Sequence, residues 1–246
     1  MIPDLPGDAL IVADCGFVGY DFWSELLASG RQFVIRVGGN VRLLKNLGVV
    51  REVNGTIYLW PDKAAKRKQP PLALRLVVVH DGRQPWYLVT SVRDAQRLSD
   101  KQVAQIYKLR WRIELFFRHF KQTYGRAKLR SYKAEHTECE AQWSLLGLWA
   151  MLLHTQIRQK RAHGTVGHVS VARVLRAFGQ ALDEPSCRPW AGAALADKLL
   201  TALVDPYKRR DRTSRSYPRK KYEPPTKPPR ISQATPGQRQ LAKAAA

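Results

Sequence analysis

Two rhythms of apolar side chains open the chain. Ala9-Leu10-Ile11-Val12-Ala13 is a continuous apolar run that stops at Asp14, the pattern of a short strand buried on both faces. Gly16 and Gly19 mark a turn. Phe22, Leu26 and Leu27 then recur at helical spacing until Ser29-Gly30, which predicts a helix over 20–28. Residues 32–37 read as a second buried strand. Strand, helix and strand make a β-α-β unit with a right-handed crossover. Asp14 falls at the carboxyl end of the first strand, where open α/β sheets place their sites.

From 39 to 95 the pattern changes to alternation. Residues 49–60 alternate around Asn54-Gly55, a hairpin signal. Residues 72–80 and 86–92 read as strands around an Asp81-Gly82 turn, and 63–68 as a basic loop in solvent. Together they predict a β-rich region of antiparallel hairpins. Ser99-x-x-Gln102 is a capping box that opens a helix, with no breaker before Gly125. Further helices are expected over 137–160, 169–181 and 191–203. The apolar stretch 143–153 reads as a buried helix, being about half a membrane span. Beyond Tyr207 the chain is basic and Pro-rich, so it is expected to stay disordered. No internal repeat is visible.

The segment from Tyr107 to Lys121 carries the densest chemistry. On a straight helix, with Tyr107 at zero, Arg110, Glu114 and Lys121 fall at about −60°, −20° and −40°. Ile106, Ile113, Phe117 and Phe120 form an apolar stripe beside them. A carboxylate among Arg, Lys and Tyr at the border of a core suits a metal-bound group flanked by phosphate-binding side chains. Geometry alone equally allows an ion-paired helix in which Arg110 bonds Glu114.

Charge narrows the partner. Lys and Arg number 42 against 20 Asp and Glu, a net charge of +22 with a pI near 10.4. Such an excess favours polyanions, since each phosphate contact releases counterions. Nucleic acid leads. An anionic membrane surface, a ribosomal RNA partner or a solvated basic surface are the alternatives. Cys15, Cys139 and Cys187 are scattered, which argues against a zinc ribbon or a disulfide scaffold. No targeting segment is visible at the start.

The spacing Tyr107-(2)-Arg110-(3)-Glu114-(6)-Lys121 resembles the signature of the insertion-sequence family-four transposases. Val12-Ala13-Asp14-Cys15-Gly16-Phe17 resembles their segment around the second Asp of the DDE triad. The resemblance covers most of residues 9 to 155. It implies an α/β fold: a partial ribonuclease-H-like core with a β-rich insertion and a C-terminal helical region. The expected boundaries are 1–38 for the first part of the core, 39–95 for the insertion, 96–206 for the signature helix and C-terminal helices, and 207–246 for a basic disordered tail.

The same resemblance implies that Asp14 and Glu114 are catalytic and bind metal, with Mg²⁺ in a two-metal site. Their carboxylates are expected within about 4–8 Å of each other. Tyr107, Arg110 and Lys121 would bind DNA. The implied partners are transposon ends and target DNA, with a homodimer on the DNA and no membrane. The implied location is the bacterial cytoplasm, at the nucleoid. Trp60 or Trp86 offers a platform for a flipped base, against the simpler reading of strand packing. Family members carry a first Asp on an earlier strand, whereas here only residues 1–8 precede the strand to Asp14. Asp4 and Asp8 lie in a Pro/Gly loop and take no role. The chain therefore reads as the C-terminal part of an N-terminally truncated transposase, inactive alone. The alternative is a catalytically inactive DNA-binding remnant.

Overall fold

The computed structural model describes residues 4–80, 85–165, 167–183, 191–204 and 227–245. These form two compact units, one built on the chain up to Arg110 together with the C-terminal strand and helix, the other beginning at Trp111.

The first unit is organised by a mixed sheet of seven strands. β1 (Leu10–Ala13), α1 (Tyr20–Ala28) and β2 (Gln32–Val37) occupy the expected positions. β1 and β2 pair in parallel, with Ala13 opposite Ile35. β3 (Arg42–Lys45), β4 (Thr56–Leu59), β5 (Leu72–His80) and β6 (Pro85–Thr90) follow. The order across the sheet is β1-β2-β6-β5-β4-β3-β7. β6 pairs antiparallel with β2, so the alternating region continues the sheet that β1 and β2 begin.

The Asn54-Gly55 signal makes a turn, yet not the expected hairpin. Gly55 takes a positive φ of 85°, but residues 49–53 form no strand. The Glu52 carboxylate accepts hydrogen bonds from the Gly48 amide and the Tyr58 hydroxyl. That side chain fastens the segment, and β4 pairs instead with β3 and β5. Residues 63–66 of the basic segment lie in a short helix, α2 (Asp62–Lys66), whose Ala64 is buried. The Asp81-Gly82 turn lies outside the described residues.

Period-two alternation sorts the sheet into two faces. Phe33, Ile35 and Val37 share a core with Trp23 and Leu26 of α1. Val34 joins Val77, Leu88, Val103 and Tyr107 on the other face, with Leu10 and Val12 packed against them. That second face is covered by α3 (Asp100–Leu109), which opens on the expected reciprocal capping box of Ser99 and Gln102. Buried Arg75 on β5 donates to the Leu98 carbonyl and stands 3.7 Å from the Asp100 carboxylate. It anchors the start of α3 to the sheet.

Disorder of the whole segment 207–246 is not what the structure shows. Residues 207–226 lie outside the described residues. β7 (Arg230–Gln233) pairs in parallel with β3, and α8 (Pro236–Ala245) follows. Composition misled here because β7 is exposed at all its positions. Its order comes from ladder bonds to the open edge of β3 rather than from burial. Ala234 and Ala242 enter the main core. Thr235 and Gln238 bond each other's backbone amides at the start of α8, a second capping box.

The expected unbroken helix from Ser99 to Gly125 is also corrected. α3 ends at Leu109. α4 (Trp111–Arg118) and a π-helical turn (His119–Thr123) follow. Arg110 keeps helical dihedrals, but its amide bonds the Tyr107 carbonyl, one residue short of the α pattern. Such a local tightening needs no Gly or Pro. The second unit contains α4, the π turn, α5 (Ala134–His163), α6 (Val171–Asp183) and α7 (Ala191–Leu200). Its core joins Val174 and Ala177 of α6 to Leu199 of α7, with Met151 and Leu152 of α5 packed against them.

Candidate active site

Alternation along β1 and β2 builds the site. Val12 and Val34 point to the face covered by α3, so Asp14 and Arg36, two residues on, belong to that face as well. The register Ala13 to Ile35, carried one step further, sets Asp14 beside Arg36. Asp14 has extended dihedrals and caps the tight turn Cys15–Phe17. Its Oδ1 accepts the Gly16 amide at 3.0 Å. A Cβ at residue 16 would stand 3.2 Å from that oxygen, so glycine allows the close approach. The other oxygen, Oδ2, lies 3.8 Å from Nη1 of Arg110. The Asp14 side chain is 46% exposed, so the carboxylate is oriented and still open to solvent.

Tyr107, one turn before Arg110, is buried. Its ring packs on Trp86, with centroids 5.3 Å apart, and the Arg110 guanidinium lies 5.8 Å from the ring centre. The Tyr107 hydroxyl is buried without a hydrogen bond of normal geometry among the described residues. Burial pushes its pKa up and the Asp14 charge adds to that, while Arg110 and Arg36 pull the other way. The phenol therefore stays protonated at neutral pH and retains a proton to donate.

The structure brings Asp14, Tyr107 and Arg110 together and adds Arg36 to them. Glu114 lies in α4, half-buried, and Lys121 in the π turn, exposed. Both belong to the second unit. Lys121 Nζ stands 5.8 Å from the Phe117 ring centre. Of the expected apolar stripe, Phe120 is buried, whereas Ile113 and Phe117 are exposed. The straight-helix projection loses its register at Arg110 and again at the π turn, where the hydrogen-bonded ring is longer. Trp60 is buried and donates its indole N–H to the Gln69 carbonyl at 2.8 Å, and Trp86 is engaged by Tyr107. Both pack in the sheet, Trp60 buried and Trp86 half-buried against Tyr107. Cys15 and Cys139 are free thiols.

Sequence reasoning missed Arg36. A single Arg in the apolar run Phe33-Val34-Ile35-Arg36-Val37 gives no spaced motif, but its period-two position matched to Asp14 was a usable signal. Among the described residues, no three His, Cys, Asp or Glu side chains gather closely enough to hold a metal ion. The Asp14 carboxylate itself is of the right kind for a hard divalent cation, an oriented oxygen donor with solvent access.

Comparison with known proteins points to one family. The family described as Transposase DDE domain matches residues 1–150, a span that includes Asp14, Tyr107, Arg110, Glu114 and Lys121. The chain is similar to the transposase InsG for insertion sequence element IS4 of Escherichia coli (strain K12). The two are 32% identical over 139 residues, which is 53% of this chain and 29% of that protein. The chain thus spans less than a third of the length of that relative.

Proposed function

The chain belongs to the DDE transposase family, in its insertion-sequence-four branch, and we propose that it serves metal-dependent cleavage and strand transfer of insertion-sequence DNA. The observation that carries this reading is the oriented, half-exposed Asp14 carboxylate, set against Arg110 at the end of β1. The sheet with α3 on one face is read as part of a ribonuclease-H-like core, continued by residues 39–95 as its insertion and by 96–206 as the signature and C-terminal helices.

Asp14 and Glu114 are the proposed metal ligands. Magnesium, when bound, would neutralise charge on the scissile phosphate and activate the attacking oxygen. Arg110 offers a two-pronged grip on a phosphate and Lys121 a point charge. The Tyr107 hydroxyl has a proton to give and no partner of normal geometry, so it is suited to a phosphate oxygen, while its ring stays in the core. Arg36 adds positive charge on the sheet side. DNA is the proposed partner, as transposon ends and as target, with two copies acting together at the nucleoid. No helix of the described residues is long and apolar enough to cross a membrane.

We assign this chain two of the carboxylates, Asp14 and Glu114, for a metal pair that the family holds with three. On that basis the 246-residue chain binds DNA and does not cut it unaided. Incubation of the purified chain with transposon-end DNA and Mg²⁺ should give retained complexes and intact strands. Clean cutting at the end, abolished by Asp14→Asn, would show that a third ligand is supplied and that the chain is an active enzyme.

A further inference from the structure

The two oxygens of the Asp14 carboxylate are held in different ways. Oδ1 accepts the Gly16 amide at 3.0 Å. That amide belongs to the tight turn Cys15–Phe17, which Asp14 caps. The turn is fixed in its own right, because buried Trp23 donates its indole N–H to the Phe17 carbonyl at 2.9 Å. Oδ2 instead faces Nη1 of Arg110 at 3.8 Å. At that distance the contact is between charges and is not a hydrogen bond. Arg110 stands at the end of α3, with its guanidinium 5.8 Å from the Tyr107 ring centre and 21% of its side chain exposed. One oxygen is therefore fixed by backbone, and the other is held by a long side chain that can leave.

A guanidinium beside Oδ2 stands where a bound cation would be. It repels a divalent ion on that oxygen, so the two compete for it. A phosphate offers Arg110 a better partner, with two acceptors in bidentate geometry. Arg110 thus has two rival anions, one in the chain and one in DNA. We propose that Arg110 is a latch on Oδ2 of Asp14, closed in the free chain and opened when a DNA phosphate takes the guanidinium. The inference rests on the metal role proposed above for Asp14 and adds a coupling to it. Arg110 drawn to phosphate leaves Oδ2 open for the metal, and by reciprocity Arg110 grips phosphate better once Oδ2 is occupied. Tyr107, packed on Trp86, stays in place as Arg110 turns away. The pair is part-exposed, so the coupling is modest.

The test is DNA retention by the full chain in EDTA, compared among wild type, Asp14→Asn, Arg110→Gln and the double variant. Circular dichroism checks that each remains folded. Loss of the guanidinium should weaken retention roughly threefold to fivefold more in the Asp14→Asn chain than in wild type, because in wild type Asp14 already draws on it. Arg51→Gln, an exposed arginine of the same unit, should cost the same in both backgrounds. A second measurement uses the chain without DNA. Mn²⁺ binding, followed by electron paramagnetic resonance, should weaken in Asp14→Asn and tighten roughly threefold to fivefold in Arg110→Gln. Equal costs of Arg110→Gln in the two backgrounds, or Mn²⁺ binding that Arg110→Gln leaves unchanged or weakens, would overturn the latch and leave the DNA-binding reading standing. A wild-type chain that retains no DNA, or takes up no Mn²⁺, would overturn the proposed function and the latch with it.

Discussion

Asp14 is far in sequence from Tyr107 and Arg110, and local rules bring it beside them. A strand end exposes the carboxylate, Gly16 orients it, and one helical turn separates the hydroxyl from the guanidinium. Asp14 was legible because a continuous apolar run stops on it. Arg36 was not, because its meaning depends on the register between β1 and β2. The buried Tyr107 hydroxyl has no hydrogen bond of normal geometry, and only the Arg110 guanidinium bears on its oxygen as a donor among the causes that hold its pKa. Tyr107→Phe should therefore leave stability to urea unchanged or raise it by up to about 1 kcal/mol, while weakening retention of transposon-end DNA. Loss of stability without loss of binding would make the hydroxyl a structural group.

Elements were legible where patterns were long and failed where order is borrowed. β1, α1, β2, the Ser99 capping box and α5 follow from periodicity or a named motif. β7 does not, since its four exposed residues are held by the edge of β3. The expected buried helix over 143–153 is exposed at Trp143, Leu146, Trp149 and Leu153 of α5, because an apolar run of that length reads as buried wherever its partners lie. Neither the tightening at Arg110 nor the π turn carries a Gly or Pro to announce it. Glu140 offers a test at this scale. From α5 it accepts the amides of Arg130 and Ser131 at 2.9–3.1 Å and stands 3.7 Å from Arg126. The Ser131 amide foremost, then Ser131's side chain, the Arg130 amide and the Arg126 charge hold its pKa below the ordinary carboxylate value. A depressed folded pKa means that the tether is fully present above the ordinary value and is lost as pH falls through the depressed one. The amide NMR shifts of Arg130 and Ser131 should move together below the ordinary carboxylate range. Glu140→Gln should remove that titration and loosen the segment before α5. Shifts that move at the ordinary value, or not together, would show that Glu140 does not tether this segment.

Across the whole molecule, charge and fold divide the labour. In the proposed function, the net charge of +22 would give affinity for any phosphate backbone, and the strand-end carboxylate would serve the metal. Residues 207–226 hold Lys208, Arg209, Arg210, Arg212, Arg215, Arg219, Lys220 and Lys221 against Asp211 and Glu223. Replacing this segment with a neutral linker should flatten the slope of log affinity against log salt, because counterion release counts phosphates neutralised. An unchanged slope would mean that those cations do not touch DNA. Removing 227–246 is a different experiment. It strips β7 and α8 from the sheet and should lower stability and promote aggregation through the freed β3 edge, read by light scattering and thermal unfolding.

We propose that Asp14 and Glu114 serve one divalent metal, and metal-directed protein cleavage is the sharpest test of that proposal. Fe²⁺ bound in place of Mg²⁺, with ascorbate and peroxide, cuts the backbone next to its ligands. The full chain should yield cuts near both residue 14 and residue 114, suppressed together by excess Mg²⁺ and lost together in Asp14→Asn or in Glu114→Gln. Cuts near only one of the two positions, or cuts at residue 114 that persist in Asp14→Asn, would show that the two carboxylates do not serve one metal.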